Sequence, residues 1–103
     1  MTTETQTDRD TRIWSDLAIP AGETLADELE ARELDQATFA KTLGITRRHL
    51  TDLFSGRRPI TAEIALKLES ELGVEATFWM NLQSAYDLTL ARIARAEATA
   101  LPH

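Results

Sequence analysis

Two adjacent arginines, Arg47 and Arg48, are followed by Thr51, Asp52 and Ser55, and these polar groups gather on one face if the stretch is helical. A guanidinium carries parallel N–H donors that match the O6 and N7 acceptors of guanine, while hydroxyls serve bases or phosphates. Arg57 and Arg58 follow closely, and cations beside such a face suit phosphate oxyanions. Upstream, Gln36, Thr38 and Thr46 stand where two helices would begin, at termini whose free backbone N–H groups attract phosphate. The chemistry these residues share is hydrogen bonding to a polyanion. Bond cleavage fits poorly: the chain has no glycine-rich phosphate loop, no recognisable Ser/His/Asp arrangement and no cysteine, and its carboxylates lie on helical faces where solvation explains them. The reading is of a protein that is not an enzyme and needs no cofactor. His49, the only internal histidine, lacks a second ligand three or four residues away, so no metal site is expected.

A net charge of -6 over 103 residues argues against a nucleic-acid partner until the charge is located. Residues 1 to 35 carry three basic and ten acidic groups, residues 36 to 61 five and one, and residues 62 to 103 three and six. A single basic island, net +4, therefore coincides with the residues singled out above.

Positioning those residues requires helices. Pro20 and Gly22 punctuate the chain before a first helix of about Thr24 to Arg32, which places Leu25, Leu29 and, just beyond, Leu34 near one face. Asp35 caps a short second helix, Gln36 to Leu43, that Gly44 stops; Thr46 caps a third, Arg47 to Phe54, with Leu50, Leu53 and Phe54 inward. Thr61 caps a fourth, Ala62 to Leu72, ended by Gly73, and a fifth and longest runs from about Glu75 toward Ala98. Phe78, Leu82, Ala85, Tyr86, Leu90 and Ile93 form its apolar stripe, and Phe78, Trp79, Leu82 and Tyr86 are expected to seal it onto the bundle. No segment alternates like a strand, so the fold class is all-α with five helices.

Counting Gln36 as position one, Ala40, Gly44, Leu50 and Leu53 fall at positions five, nine, fifteen and eighteen. They supply a small residue at a close helix crossing, a residue that tolerates positive φ in the turn, and two apolar anchors that leave the other face of the second helix free. This is the pattern of a helix-turn-helix, with Arg47 and Arg48 as base readers, Arg57 and Arg58 as a phosphate clamp, and Gln36, Thr38, Thr46, Thr51, Asp52 and Ser55 as further DNA-contacting groups. The polar stretch 1–12 lacks apolar surface and reads as a flexible N-terminal tail, 13–98 as the DNA-binding domain and 99–103 as a C-terminal tail. With no secretory leader and no apolar run approaching a membrane span, the expected setting is cytoplasmic and away from membranes.

Four strings resemble the HigA antitoxins: Ile19-Pro20-Ala21-Gly22-Glu23-Thr24-Leu25, the turn Leu43-Gly44-Ile45-Thr46, Gly56-Arg57-Arg58-Pro59-Ile60-Thr61-Ala62 and, most diagnostically, Phe78-Trp79-Met80-Asn81-Leu82-Gln83 with Tyr86-Asp87-Leu88 beyond it. The similarity spans roughly residues 19 to 92. It implies a lambda-repressor-like fold, a homodimer that represses its own operon through palindromic operator DNA, and neutralisation of a HigB-type messenger-RNA-cleaving toxin. Met80 and Leu88 lie off the main stripe of the fifth helix and are candidates for the dimer interface. A toxin that holds RNA must be cationic, so Asp27, Glu28, Glu30 and Glu33, with Trp14 in the preceding arm, are candidates for its contact. The alternative is a stand-alone or phage-type repressor with no toxin partner.

Overall fold

A computed structural model describes residues 18–100. Five helices occur in them and no strand: α1 (Ala21–Ala31), α2 (Gln36–Leu43), α3 (Arg47–Ser55), α4 (Ala62–Leu72) and α5 (Ala76–Ala100). The all-α reading is borne out, and the helix ends follow local chemistry. Asp35, Thr46 and Thr61 have extended backbone and accept the N–H of the residue three positions on, satisfying one of the donors left free at the start of each helix. Gly44, Gly56 and Gly73 adopt the left-handed region and close α2, α3 and α4. Residues 1–17, including Ile13 and Trp14, and residues 101–103 lie outside the described residues.

The chain divides into two compact units, Pro20–Ser84 and a second to which Ile19 and the rest of α5 from Ala85 belong. In the first, Leu25 and Leu29 of α1, Phe39 and Leu43 of α2, Leu50 and Leu53 of α3, Leu68 of α4 and Trp79 of α5 form the buried core. In the second, Leu88 and Leu90 are exposed and Ile93 is half-buried, while Thr89 Oγ1 donates to the Ala85 carbonyl within the helix.

Two expectations about α1 need correction. Pro20 and Gly22 do not delay α1: Pro20 is its cap residue, its carbonyl accepts the Glu23 N–H, and Gly22 sits buried in the first turn. A Cβ built on Gly22 would lie 1.6 Å from the Leu53 carbonyl oxygen, so this glycine lets α1 cross α3 backbone to backbone. Leu34 is exposed rather than continuing the α1 face, because the chain has already turned at Glu33.

The inward stripe of α5 also differs. Trp79 and Gln83 are its buried residues within the first unit, with Met80 and Leu82 packed partly against the core, whereas Phe78 is exposed and meets Trp79 edge-on at 5.3 Å. A periodicity reading penalises a stripe through a glutamine. Here the glutamine is inside because Gln83 Oε1 accepts the buried Ile60 N–H at 2.8 Å, and an unpaired amide there would cost more than burying the side chain. Met80 thus has a use within its own chain, contrary to the premise that made it an interface candidate; Leu88 remains exposed.

Candidate nucleic-acid interface

The basic island folds into α2, α3 and the loop that follows. Leu50 and Leu53 anchor the inner side of α3, leaving Arg47, Arg48, Thr51 and Ser55 exposed on the outer side, with Asp52 recessed and His49 half-buried on one flank. This separation follows from the helical spacing of the two leucines.

Gln36 and Arg47 link the starts of the two helices. An Arg47 Nη donates to Gln36 Oε1 at 3.2 Å, which leaves the Gln36 amide and the remaining Arg47 N–H groups free to donate. Thr46 Oγ1 accepts the His49 N–H at 2.9 Å, so its hydroxyl proton stays available at the α3 N-terminus. Thr38 differs from the sequence expectation: its hydroxyl donates to Asp35 Oδ2 at 3.0 Å, alongside its backbone N–H at 2.9 Å, and its one proton is used there. Those two hydrogen bonds, the backbone one foremost, hold the Asp35 carboxyl below the usual carboxylate range, and the positive charge of Arg47 adds to them. Thr51 and Ser55 donate to the Arg47 and Asp52 carbonyls, leaving acceptor lone pairs outward.

The loop arginines are pinned from two directions. The Arg58 N–H donates to the Asp52 carbonyl at 3.2 Å, and Gln83 holds the loop at Ile60. The Asp52 carboxylate lies 3.9 Å from Arg48 Nε and 3.6 Å from Arg58 Nε. Arg48 and Arg58 therefore share one surface, and Arg57 is exposed beside them. The corner between α2 and α3 is braced as well: Lys67 of α4 donates from Nζ to the Leu43 carbonyl at 2.9 Å, placing a cation on an otherwise unsatisfied C-terminal oxygen of α2. His49, Arg58, Thr61 and Lys67 line a groove beside that corner.

Gly22, Lys67 and Gln83 are the positioning residues that sequence reasoning missed. A glycine within a run of helix formers was the available signal for Gly22; for Lys67 and Gln83 there was none, since each meets its partner across more than twenty residues.

The acidic candidates are distributed differently. Asp27, Glu30 and Glu33 are exposed, whereas Glu28 is half-buried and paired with Arg32 Nε at 2.9 Å. Trp14 lies outside the described residues. Among the described residues, no three acidic or histidine side chains are grouped to hold a metal, and no helix is long and apolar enough to cross a membrane.

Comparison with known proteins agrees with this geometry. The helix-turn-helix family matches residues 25–79. Virulence-associated protein I of Dichelobacter nodosus is 37% identical over 75 residues, covering 72% of this chain and 69% of that protein. Antitoxin HigA-1 of Vibrio cholerae is 35% identical over 71 residues, covering 68% and 67%. The structure of Pseudomonas aeruginosa antitoxin HigA with the higBA promoter superposes with a TM-score of 0.71 at 34% identity, covering 80% of this chain and 90% of that one.

Proposed function

We propose that this chain, which belongs to the helix-turn-helix family that includes the HigA antitoxins, is a cytoplasmic operator-binding autorepressor and the antitoxin of a toxin-antitoxin pair. The observation that carries the repressor reading is the single polar surface running from Gln36 through Arg47 and Arg48 to Arg58, with its apolar anchors turned away. In this reading α3 enters the major groove, Arg47 and Arg48 contact base edges, and Gln36, Thr46, Arg57 and Arg58 grip phosphates on either side. Thr51 and Ser55 offer acceptors between them, and Thr38 contributes by holding its cap. One such domain covers too few base pairs for operator selectivity, so a homodimer on a palindrome follows, with Leu88 as a candidate contact.

A HigB-type messenger-RNA-cleaving toxin is the partner that the resemblance and the relatives' names support. Exposed Asp27, Glu30 and Glu33 offer it a surface apart from the basic one, with Glu28 already engaged by Arg32.

Titration against the duplex upstream of the chain's own gene tests the repressor reading. Arg47→Ala or Arg48→Ala should weaken binding by about 1–3 kcal/mol and relax preference at one half-site position. Arg57→Ala or Arg58→Ala should weaken all sequences alike and lower the salt slope by about one unit. Unchanged sequence preference in both Arg47 and Arg48 variants would remove the base-reading assignment. Toxin affinity that survives charge reversal of Glu30 and Glu33 would remove the acidic surface from the toxin contact.

A further inference from the structure

We propose that Asp52 is a positioning residue of the reading face: it touches no base, but holds Arg48 of α3 and Arg58 of the following loop in one register. This rests on the operator-binding reading above. The arginine aimed at bases and the arginine aimed at the backbone would then meet DNA as one preformed unit.

The side chain of Asp52 is 13% exposed, against 81% for Arg48 and 55% for Arg58. Its two oxygens face different partners, Oδ1 toward Arg48 Nε and Oδ2 toward Arg58 Nε. Both separations, 3.9 and 3.6 Å, are those of ion pairs rather than hydrogen bonds. The same residue's carbonyl accepts the Arg58 N–H, so the loop is tied to Asp52 through main chain and side chain together.

Electrostatics explains why an acid belongs there. Asp52 is the only carboxylate between residues 36 and 61, in a segment with five cations. A bare carboxylate on the exposed side of α3 would repel phosphates, whereas one recessed between two guanidinium groups offsets their mutual repulsion and lets them stay close. Direct acceptance of a cytosine amino group is the other use of an aspartate on a recognition helix. Recession and the presence of an arginine at each oxygen disfavour it. Ion pairs with partners this exposed contribute little to folding stability, so the effect belongs in recognition rather than in melting temperature.

The test compares the full chain with Asp52→Asn and Asp52→Ala on the upstream duplex and on a scrambled duplex of equal length. Removing one negative charge should leave scrambled-DNA affinity equal or higher, while the ratio of specific to scrambled affinity falls by about tenfold, the scale of coupling between groups in one network. Thermal melts should stay close to wild type. In the DNA-free protein, ¹⁵N relaxation of the Arg48 and Arg58 Nε–Hε groups should show both becoming more mobile. An undiminished ratio in both variants would overturn the assignment alone, as would unchanged arginine mobility with discrimination lost only at one C·G position. A wild-type protein that does not distinguish the two duplexes would overturn the repressor reading and this assignment with it.

Discussion

The corner joining α1 to α2 and the corner joining α2 to α3 close their helices with the same pair of backbone hydrogen bonds, yet by opposite chemistry. At the first, the Glu33 N–H reaches the Glu30 carbonyl and the Leu34 N–H the Leu29 carbonyl; at the second, Gly44 reaches Lys41 and Ile45 reaches Ala40. Each corner therefore places one residue in the left-handed region, Glu33 at φ 58° and Gly44 at φ 74°. The first corner keeps a side chain where glycine is favoured and follows it with a second carboxylate, Asp35. The second uses glycine and a lysine drawn in from α4. Backbone geometry alone thus does not separate the corner that orients α3 from the one that does not. The brace and the close packing around α3 do.

The largest effect should come from Gly22→Ala, which tests whether the α3 side of that comparison depends on contact rather than on turn geometry. Alanine is favoured over glycine in a helix interior by about 1 kcal/mol. A Cβ 1.6 Å from a backbone oxygen forces α1 and α3 apart, and overpacking of that kind should outweigh the gain, for a net loss of about 3 kcal/mol in chemical denaturation. A variant as stable as wild type would mean that the two helices can separate freely.

Gly44→Ala should cost about 1–2 kcal/mol, because only φ is at fault there: the nearest atom to an added Cβ is Lys67 Nζ at 3.7 Å. Lys67→Met should lower operator affinity more than it lowers stability, since the lysine bonds the last carbonyl of α2 at the corner that leads into α3. Equal losses in denaturation and DNA titration would reduce Lys67 to an ordinary cap. Glu33→Gly should go the other way by about 0.5 kcal/mol, as relief of left-handed strain is mostly offset by the flexibility glycine adds to the unfolded chain. A destabilised Glu33→Gly variant would show that the added chain flexibility outweighs the strain relieved at this turn.

The smallest effect is acid sensitivity at Asp35. Its carboxyl is held below the usual range in the folded chain, so the stabilisation it supplies is complete above its unfolded pKa and is lost as pH falls through the folded one, a window beginning at about pH 4. Asparagine keeps the cap without titrating, so Asp35→Asn should show a shallower loss of melting temperature below that pH. Parallel acid melting curves for the two proteins would place the acid-sensitive group elsewhere.

Much of this was legible in the chain because capping and left-handed closure are local. Asp35, Thr46 and Thr61 meet donors three residues away, and Gly44, Gly56 and Gly73 fall just after the last apolar position of each helix. The α5 stripe was misread because apolar periodicity cannot anticipate a buried glutamine whose partner is a distant main-chain amide. Helix position and face place Thr38 and Asp52 at the interface, but neither shows that a hydroxyl proton already has an acceptor or that a carboxylate lies between two cations.

By itself, then, the sequence determined that five helices form, where three of them stop, and that one short segment concentrates positive charge on the outer side of α3, since each of these depends on neighbours within a few positions. Tertiary structure decided how α3 is held: the crossing at Gly22, the lysine on the Leu43 carbonyl, the glutamine on Ile60 and the joining of Arg48 to Arg58 through Asp52. The first three bring together groups far apart in the chain, and the last depends on how the loop folds back on α3. Whether such groups meet is set by how the helices pack and how the loop turns, which no local propensity encodes.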